Sequence, residues 1–590
     1  MRSGNSLIQY MRLSSVLIIL MVGLEVRSLH GQIKGIEVLT LFSGDSASYN
    51  DEVALGSILV DSTHGRLICM YYTTERDLPV TVDAYQGSMA LSSKVSVYIA
   101  VYDLDVSRIL YASYLGGNGY SFPYRPCWDE TGGAVIFAGH TNSTDFPVTE
   151  NARQKQRNGE WDLWYARFDV ASFRFTYISY LGGDGDEARA YSMVTSDGRL
   201  MLAGFSNSTD LPINPETFSR KPTSWLGDAA VFVLRNDSLE QVVFFGGLQD
   251  ETFRGLYETN DSFVFVGDTW SWDLKVTGNA FQKDFGGVTD MFILRTDKQF
   301  RAIEYCSYVG GITNDFIYST RQQGEKIHIV GMTNGTEGFP LTHPAIGQDT
   351  LGFYSASYVI YDAARDEIPF SGLIVGHGAE EIIDVAIVDD QRAILSMASN
   401  SDTLLGVLKT PQGDWNTMMM LLVEFDLSQY QPTKVHYLWN GSGLDCISEI
   451  IPSPLGWYFT GYTGRQIPVR PGGMRTQYVG GGTSFIGKIH FDTNEMEEVV
   501  HASPRLLTIT PYPNPAGKNA SIVLMGKRGS YTLHLYGMDG RLYSTQRLEH
   551  SGDGASTIPL PLTGLAAGRY LLVAQDAEGI PVARSSVVVW

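Results

Sequence analysis

The sequence predicts an all-β protein, in which a seven-bladed β-propeller is followed by a small Ig-like β-sandwich. One phrase returns along the chain at a nearly constant period. Each copy contains short runs of β-branched and aromatic residues bounded by Gly, Asn, Asp and Pro, and helical periodicity is nearly absent. Such runs are typical of strands, and about four strands per repeat, arranged radially, form a propeller blade.

The repeat is clearest from Tyr177 to Pro212, and the copy before it runs from Tyr111 to Pro147. Each unit has an apolar strand that ends in Gly-Gly, a polar stretch, a second apolar run that ends in Gly, and a polar turn. The glycines that set the period, at spacings of 66, 64 and 64 residues, are Gly117, Gly183, Gly247 and Gly311. Later copies match the pattern less well, and the first copy carries an insertion. The seven copies together place the predicted propeller at residues 32–502.

Closure of the ring needs one blade to be completed by a segment from a chain end. A strand at Gly35–Phe42 precedes the first copy, and Met496–Ala502 follows the seventh copy in the phase of another opening strand. Either segment could complete the last blade, and we expect the N-terminal strand to pair with blade seven. Deletion of Gln32–Gly44 should then lower the unfolding temperature strongly.

The pattern YLGG…D…G…GxTxSxDFP…GG…D in these copies is similar to the SBBP-type β-propeller repeat found in exported bacterial proteins. The resemblance covers roughly Ile36 to Glu498. It implies the propeller fold but no chemistry, because function depends on the sites that a fold carries.

The first segment, Met1–Gly31, is predicted to be a secretory signal peptide. Arg2 and Arg12 supply positive charge, and Val16–Leu24 is an apolar core that is too short to span a bilayer. We therefore expect the chain to be exported to the periplasm. No other apolar stretch is long enough for a transmembrane helix.

The composition changes at Ser503, and residues 503–590 contain about seven short strands with turn signals, which predicts the β-sandwich. Three motifs of this tail, PYPNPA, YTLHLYGMDGRL and GLAAGRYLLVA, resemble the type A C-terminal sorting domain of type IX secretion substrates. The resemblance implies transport across the outer membrane by the type IX machinery and its sortase. The resemblance also implies that the domain is then removed. The cargo would be released or attached to surface lipopolysaccharide. The matching residues are Pro513, Asn514, Pro515, Asp539, Gly540, Gly564, Gly568, Arg569 and Tyr570.

The chain is acidic, with 43 Lys and Arg against 64 Asp and Glu and a net charge of −21. Such a surface repels nucleic acid and anionic lipid at long range, which argues against a nucleic-acid partner. Solubility outside the cell is the preferred interpretation of this charge, and a surface for a cation or a basic ligand is the alternative.

Four cysteines, Cys69, Cys127, Cys306 and Cys446, lie in a chain that is predicted to be exported, where disulfides are permitted. In the predicted ring, Cys69 could bridge to Cys127 or to Cys446, which lie in the two neighbouring copies. Buried free thiols are the preferred interpretation, and the spacing fits no metal motif.

Known catalytic motifs are absent from the sequence, so no catalytic residue is assigned. A carboxylate recurs a few residues after each Gly motif, at Asp186, Asp250, Asp315, Glu380 and Asp445. A ring of such groups around the axis could hold Ca²⁺ or serve as acid and base in glycosidic cleavage. The preferred interpretation is that each carboxylate bonds the backbone of its own turn, without a cofactor.

Aromatic residues that break the repeat are the better candidates for ligand contact. Exposed tryptophan would suit stacking on sugars or contact with a protein partner. The candidate ligand-binding residues are Trp161, Trp164, Trp270, Trp272 and His377. We therefore expect a secreted or cell-surface binding module for a protein or glycan, with no catalysis. The alternatives are a carbohydrate-active hydrolase or lyase that uses axial carboxylates, and a purely structural surface component.

Overall fold

A computed structural model gives two compact units, Met1–Met496 and Glu497–Trp590. The predicted signal peptide lies outside the described residues, and so does Met496–Ala502, the alternative closing segment. Among the described residues no helix is long and apolar enough to cross a membrane. The residues that the structure describes are 36–42, 53–129, 133–222, 227–347, 354–401, 403–404, 408–409, 418–440, 446–453, 457–463, 467, 469, 474, 483–489, 507–512, 521–526, 529–537, 542–550, 556–560, 562, 565, 568–575 and 581–589.

The first unit begins with β1 (Ile36–Phe42) and continues through seven sheets, numbered here in chain order, in which the pairing is antiparallel except between β21 and β23 of the fifth. The first sheet comprises β2 (Val53–Asp61), β3 (Arg66–Thr73), β4 (Ser96–Asp103) and β5 (Ile109–Leu115). The second comprises β6 (Ser121–Pro123), β7 (Cys127–Asp129), β8 (Ala134–Thr141), β9 (Asp162–Asp169) and β10 (Arg174–Leu181). The third comprises β11 (Glu187–Val194), β12 (Leu200–Ser206), β13 (Asp228–Arg235) and β14 (Ser238–Phe245).

The remaining sheets of this unit repeat the plan. The fourth comprises β15 (Glu251–Glu258), β16 (Ser262–Thr269), β17 (Asp290–Asp297) and β18 (Ile303–Val309). The fifth comprises β19 (Asp315–Gln323), β20 (Lys326–Thr333), β21 (Ile346–Gly347), β22 (Ser355–Asp362) and β23 (Glu367–Val375). The sixth comprises β24 (Glu380–Ile387), β25 (Arg392–Ser399), β28 (Met419–Asp426) and β29 (Gln431–Asn440), and the short hairpin of β26 (Thr403–Leu404) and β27 (Leu408–Lys409) between β25 and β28 is a separate two-stranded sheet. The seventh comprises β30 (Cys446–Ile451), β31 (Trp457–Thr463) and β32 (Thr483–Ile489).

The sheets form a closed ring, because each contacts the next through its innermost strand and β2 of the first sheet contacts β30 and β31 of the seventh. Apolar side chains fill the wedges between sheets. One such cluster joins Val231 of the third sheet to Phe265 and Phe292 of the fourth. The fold is therefore an all-β propeller, as predicted. All seven innermost strands begin at one face of the ring, which we call the leading face.

The N-terminal strand closes the ring. β1 pairs antiparallel with β32, with Ile36 opposite Ile489 and Phe42 opposite Ser484. The ring of Phe42 lies 5.0 Å from that of Tyr71 in the first sheet, so that β1 contacts sheets on both sides of the seam. The expectation that the N-terminal strand pairs with blade seven is confirmed.

The second unit contains two antiparallel sheets. Its strands are β33 (Leu507–Tyr512), β34 (Ser521–Gly526), β35 (Gly529–Gly537), β36 (Leu542–His550), β37 (Ser556–Pro559), β38 (Gly568–Gln575) and β39 (Pro581–Val589). One sheet has the order β33-β34-β37 and the other β36-β35-β38-β39. Tyr531, Leu533, Leu535 and Leu572 are buried, so the larger sheet has an apolar face, as the predicted sandwich requires.

Glycine at the end of each second apolar run has a clear structural reason. A Cβ atom on Gly204 of β12 would lie 2.0 Å from the carbonyl oxygen of Arg189, and one on Gly267 of β16 would lie 2.2 Å from that of Thr252. The same contact recurs in three other sheets, at Gly139, Gly331 and Gly461. The missing side chain lets the innermost strand come close enough to bulge.

None of the four cysteines forms a disulfide with a described residue. Cys69 and Cys306 are buried, whereas Cys127 and Cys446 are partly buried. Burial raises the pKa of Cys69 to about 12 and that of Cys127 to about 11, so both remain protonated at neutral pH.

Candidate functional site

Buried carboxylates stand at the first position of four innermost strands, at Glu187, Glu251, Asp315 and Glu380. Two of them, Asp315 and Glu380, are residues that the sequence pattern singled out. In the third and fourth sheets the pattern selected Asp186 and Asp250, one residue too early. The sequence register was wrong there, because the carboxylate that is buried is the first residue of the strand itself.

Each buried carboxylate bonds its own turn. The N–H of Gly183 donates to Glu187 Oε2 at 3.0 Å, and the N–H of Gly247 donates to Glu251 Oε2 at 2.9 Å. In Glu187, Glu251 and Glu380 a hydroxyl group from the end of the second strand donates to the other oxygen, as Ser206 does to Glu187 at 2.6 Å. Burial raises the pKa of Glu187 and of Glu251 to about 8, although these hydrogen bonds lower it. These carboxylates therefore hold the blade tips together, each within its own sheet.

Asp186 and Asp250, the other described members of the expected acidic ring, lie in the turns before their strands. Asp186 accepts a hydrogen bond from the N–H of Trp161 at 3.0 Å, and the carbonyl oxygen of Asp250 accepts one from the N–H of Trp270, also at 3.0 Å. Asp445 lies outside the described residues. Across the described residues there is no group of three or more His, Cys, Asp or Glu side chains that could hold a metal ion.

The candidate aromatic residues divide into buried and exposed. Trp164 is fully buried and Trp161 is nearly so, and neither offers a ring face to solvent. Trp270 is partly buried, whereas Trp272 is 60% exposed. His377 is exposed in its turn at the leading face. Of these residues, Trp272 is the one whose ring is freely open to a ligand.

The residues of the sorting motifs are only partly described. Gly568 begins β38, with Arg569 and Tyr570 following in that strand, and Tyr570 is buried against Tyr543 with ring centroids 5.3 Å apart. The other residues of that signal lie outside the described part of the chain: Pro513, Asn514, Pro515, Asp539, Gly540 and Gly564.

The most concentrated set of charges lies on the ring axis. The register between each of three innermost strands and its neighbour is shifted by a β-bulge. A bulge changes the direction of the side chain of the extra residue. Arg189, Arg254 and Tyr318 lie at three of these bulges, close to the leading face. Further from that face, four charged residues form a network that we call the axial floor: Arg125, Arg321, Asp384 and Glu449.

The axial floor is a compensated set of charges. Arg125 Nε lies 2.6 Å from Glu449 Oε1, and Arg321 Nη2 lies 2.8 Å from Asp384 Oδ2 and 3.2 Å from Glu449 Oε1. The N–H of Ile58 donates to Glu449 at 2.8 Å, and that of Ile450 donates to Asp384 at the same distance. The network therefore ties together the first, second, fifth, sixth and seventh sheets across the axis.

The electrostatics of the floor agree with its geometry. Burial alone would raise the pKa of Glu449, but Arg125 and Arg321 outweigh burial and hold this pKa below its ordinary value. Burial alone would likewise lower the pKa of Arg125, and Glu449 and Asp384 outweigh it and raise this pKa. For Asp384 burial is the larger effect and raises the pKa, although Arg321 and Arg125 both lower it.

Nearer the leading face the charges do not balance. Arg254 Nε lies 2.6 Å from Oδ2 of Asp268, which is fully buried, but Arg189 forms no hydrogen bond or ion pair with any described residue. Burial, and after it the charge of Arg254, lowers the pKa of Arg189. We call Arg189 and Arg254, with the surrounding Tyr124, Tyr191 and Tyr318, the axial cation site.

Aromatic rings surround these arginines. The rings of Tyr124 and Tyr191 lie 5.4 Å apart, and Arg189 and Arg254 both oppose the effect of burial on the pKa of Tyr124, which still rises to about 12. His140, 5.7 Å from Tyr124, is fully buried, and burial together with Arg189 lowers its pKa to about 3. His140 is therefore neutral and adds no charge to the site.

Sequence reasoning missed these axial residues. The signal was present, because Arg189 and Arg254 follow the buried carboxylates Glu187 and Glu251 closely in both copies. An alignment of the copies on the buried carboxylate, rather than on the preceding Asp, would have placed both arginines near one axial position.

No family model and no curated protein sequence matches the chain. Among solved structures, it is similar to the Pan2 WD40 domain of Neurospora crassa, with 8% identity over 78% of this chain and 97% of that chain and a TM-score of 0.37. It is also similar to BamB from Moraxella catarrhalis, with 7% identity over 75% of this chain and 100% of that chain and a TM-score of 0.28. A GH43 β-xylosidase/α-arabinofuranosidase from a compost microbial metagenome gives 8% identity over 57% of this chain and 98% of that chain, with a TM-score of 0.27. At these identities and TM-scores the likenesses carry no argument about the site.

Proposed function

We propose that this protein is an exported binding module that holds a protein or glycan ligand on the leading face of its propeller. The proposal rests on one observation above all. The second and third sheets share a polar pair of residues at their tips, and the fourth sheet replaces that pair with exposed apolar side chains.

The repeated pair is well defined in the second and third sheets. Asp184 accepts hydrogen bonds from the N–H and the hydroxyl of Thr209 at 2.7 and 2.9 Å. In the second sheet, Asn118 Nδ2 donates to Thr144 Oγ1 at 2.8 Å. Both turns thereby satisfy their own polar groups.

The fourth sheet keeps the backbone of this turn and changes its side chains. The N–H of Leu248 donates to Asp273 Oδ1 at 2.9 Å, as the N–H of Asp184 does to Asp210 Oδ1. Leu248 therefore replaces Asp184, and Trp272 replaces Thr209. Leu248 and Trp272 are 57% and 60% exposed. The second and third sheets satisfy the polar groups of this turn, whereas the fourth sheet exposes two large apolar side chains there, and this difference favours a binding role.

Two further apolar residues extend this surface. The N–H of Val288 donates to the carbonyl of Thr313 at 2.9 Å, which places Val288 beside the turn that contains Ile312. Val288 and Ile312 are both about half exposed. Clustered exposed apolar residues are typical of an interaction site. We call Leu248, Trp272, Val288 and Ile312 the tip surface.

Export is the second part of the proposal. The signal-like segment Met1–Gly31, the SBBP-like repeats and the tail motifs from Pro511 to Ala574 support secretion through the type IX machinery and its sortase. We propose that the propeller reaches the extracellular medium or the outer-membrane surface, where lipopolysaccharide would be the attachment point.

The experiment that tests this function is a binding screen with the chain from Gln32 to Trp590 against a glycan array and matrix proteins, with and without a chelator. We expect saturable binding that Trp272→Ala weakens at least about tenfold, since truncation of an exposed aromatic anchor has this effect. Thr209→Ala, at the matching position of the third sheet, is the control and should bind normally. New reducing ends or unsaturated products from a bound glycan would instead identify a hydrolase or lyase.

A further inference from the structure

We propose that the axial cation site binds the carboxylate of an acidic sugar residue, with Arg189 as the principal contact. This inference deepens the proposed function, on which it rests for the glycan class. It adds a second position, on the ring axis, to the tip surface.

The first step of the argument is the missing counter-charge of Arg189. Three other arginines on the axis each have a carboxylate partner within 3 Å: Arg125 with Glu449, Arg321 with Asp384, and Arg254 with Asp268. Arg189, which is partly buried, has none among the described residues. Arg189 is thus the axial arginine that still lacks an anion.

The second step concerns the backbone. Arg189 has φ of +60°, in the left-handed region that residues with a side chain rarely adopt. A Cβ atom on Gly204 would lie 2.0 Å from the carbonyl oxygen of Arg189, so Gly204 is needed for this conformation. The fold thus holds an uncompensated cation in an unfavourable backbone conformation. Such strain clusters at sites of binding and catalysis.

The third step is the geometry of the donors. A guanidinium group is planar and presents paired N–H groups that match the two oxygens of a carboxylate. All the nitrogens of Arg189 are without a described partner, and Arg254 contacts Asp268 through Nε. The terminal Nη atoms of Arg254 form no hydrogen bond with a described residue. Because the charge of Arg254 acts on Arg189, the two groups are neighbours, and we infer that both can donate to one oxyanion.

The fourth step selects a sugar acid. Tyr124 and Tyr191 supply rings beside the arginines, and Tyr318 is 39% exposed, so that aromatic faces and hydroxyl groups are present for a sugar ring. The chain has a net charge of −21, which repels a polyanion at long range. A mainly neutral glycan with isolated carboxylates fits this field better than a nucleic acid or a highly acidic peptide.

The neighbouring carboxyl groups do not cancel the site. Asp268 is already paired with Arg254. Glu381 lies beside Tyr318, and burial raises the pKa of Glu381 to about 7 although the Tyr318 hydroxyl lowers it. Its negative charge is therefore reduced near neutral pH, which leaves the positive charge of Arg189 in excess.

The test is isothermal titration calorimetry on the chain from Gln32 to Trp590 with galacturonic acid, galactose and inorganic phosphate as probes. We expect galacturonic acid to bind, and galactose to bind at least about tenfold more weakly, because a charged hydrogen bond is lost. Arg189→Gln should weaken binding of galacturonic acid at least about tenfold. Arg301→Gln, in an exposed ion pair with Glu216, is the matched control and should leave binding unchanged.

Other outcomes would overturn the inference. Phosphate binding equal to that of galacturonic acid would identify a site for an inorganic anion, and no binding of galacturonic acid would exclude the sugar-acid site. The unfolding temperature of Arg189→Gln shows whether a loss of binding reflects misfolding. If Trp272→Ala removes glycan binding but galacturonic acid still binds, the two sites are separate. If galacturonic acid binds and the glycan screen is negative, the proposed function fails while the anion site stands.

Discussion

Arg321 and Arg189 both project from innermost strands toward the same axis, and they differ in what surrounds their charge. Arg321 donates to two buried carboxylates, Asp384 and Glu449, which also accept backbone N–H groups. Arg189 has a like charge, Arg254, and tyrosine rings around it, and Asp268, which acts on it electrostatically, forms its ion pair with Arg254 instead. The floor can therefore stabilise the ring, whereas Arg189 contributes nothing of this kind.

This difference separates a structural role from a binding role within one channel. Removal of one partner from a buried ion pair is costly, because the other charge is left unpaired. Removal of an uncompensated cation carries no such cost, and many binding residues are retained at the expense of stability. The two sets of residues should therefore respond oppositely to neutral substitutions.

Deletion of Gln32–Gly44 has the largest expected effect on stability. It tests whether the axial floor alone can hold the ring closed between the first and seventh sheets. The deletion removes β1 and its buried Val38, Leu39, Leu41 and Phe42. Each buried side chain contributes about 1.5 to 3 kcal/mol. We expect the unfolding temperature, measured by calorimetry, to fall by about 10 °C or more. An unchanged melt would show that the floor closes the ring without β1.

Glu449→Gln tests the floor directly. The substitution leaves Arg125 and Arg321 without one of their two carboxylates and should lower the free energy of unfolding by about 3 to 5 kcal/mol. Urea unfolding followed by tryptophan fluorescence measures this change. Glu216→Gln, in an exposed ion pair with Arg301, is the control and should change stability by less than about 1 kcal/mol. Equal effects of the two substitutions would contradict the structural role of the floor.

Arg254→Gln compares a paired arginine with its unpaired neighbour. It leaves Asp268 buried with the N–H of Ile317 as its described partner, and should cost about 3 kcal/mol. The same urea titration is the measurement. A variant as stable as the wild type would show that the pair with Asp268 contributes nothing to folding.

The tip carboxylates should make stability depend on pH. The pKa of Glu187 is raised to about 8 in the folded protein, so the group binds a proton more tightly there than in the unfolded chain. Its stabilising contribution is complete below pH about 4.5 and is lost as the pH rises through about 8. We therefore expect the free energy of unfolding to fall between pH 5 and pH 8.

Glu187→Gln should reduce this fall by about 2 kcal/mol, because the amide stays neutral across the range. Urea titrations at pH 5 and pH 8 measure the difference, with the exposed Glu240→Gln as the control. Asp197, whose pKa is lowered to about 2 by its hydroxyl and arginine partners against burial, titrates outside this window. The same pH dependence in wild type and Glu187→Gln would refute the assignment.

Arg189→Gln has the smallest expected effect on folding. It distinguishes most directly between the stabilising role of the paired arginines and the binding role proposed for Arg189. The substitution removes a cation that no described carboxylate neutralises, so the unfolding temperature should stay within about 2 °C of wild type or rise slightly. Calorimetry in the absence of ligand is the measurement. A loss of stability as large as that of Arg254→Gln would assign Arg189 a structural role.

The fold was largely predictable because its signals are local. The spacing of Gly117, Gly183, Gly247 and Gly311, and the apolar runs between them, required only the preference of β-branched and aromatic residues for strands. The preferred interpretation of the recurring carboxylates, as bonds within each turn, agrees with the contacts of Asp315 and Glu380.

The site was less predictable because side-chain direction depends on register. A shift of one residue turns a strand's side chains to the other face, and the pattern selected Asp186 and Asp250 where Glu187 and Glu251 are buried. For the same reason Trp164, expected as a ligand contact, lies in the core.

The sequence by itself determined that the chain is all β, that it repeats, and that glycine recurs where the second strand meets the first, because these properties depend on near neighbours. Only the tertiary structure decided which charges meet. Arg321 and Glu449 are 128 residues apart in the chain, and Ser57 and Glu449 are 392 apart. Ring closure brings them together, whereas Arg189, at its bulge, has no ion-pair partner in the part of the chain that the structure describes.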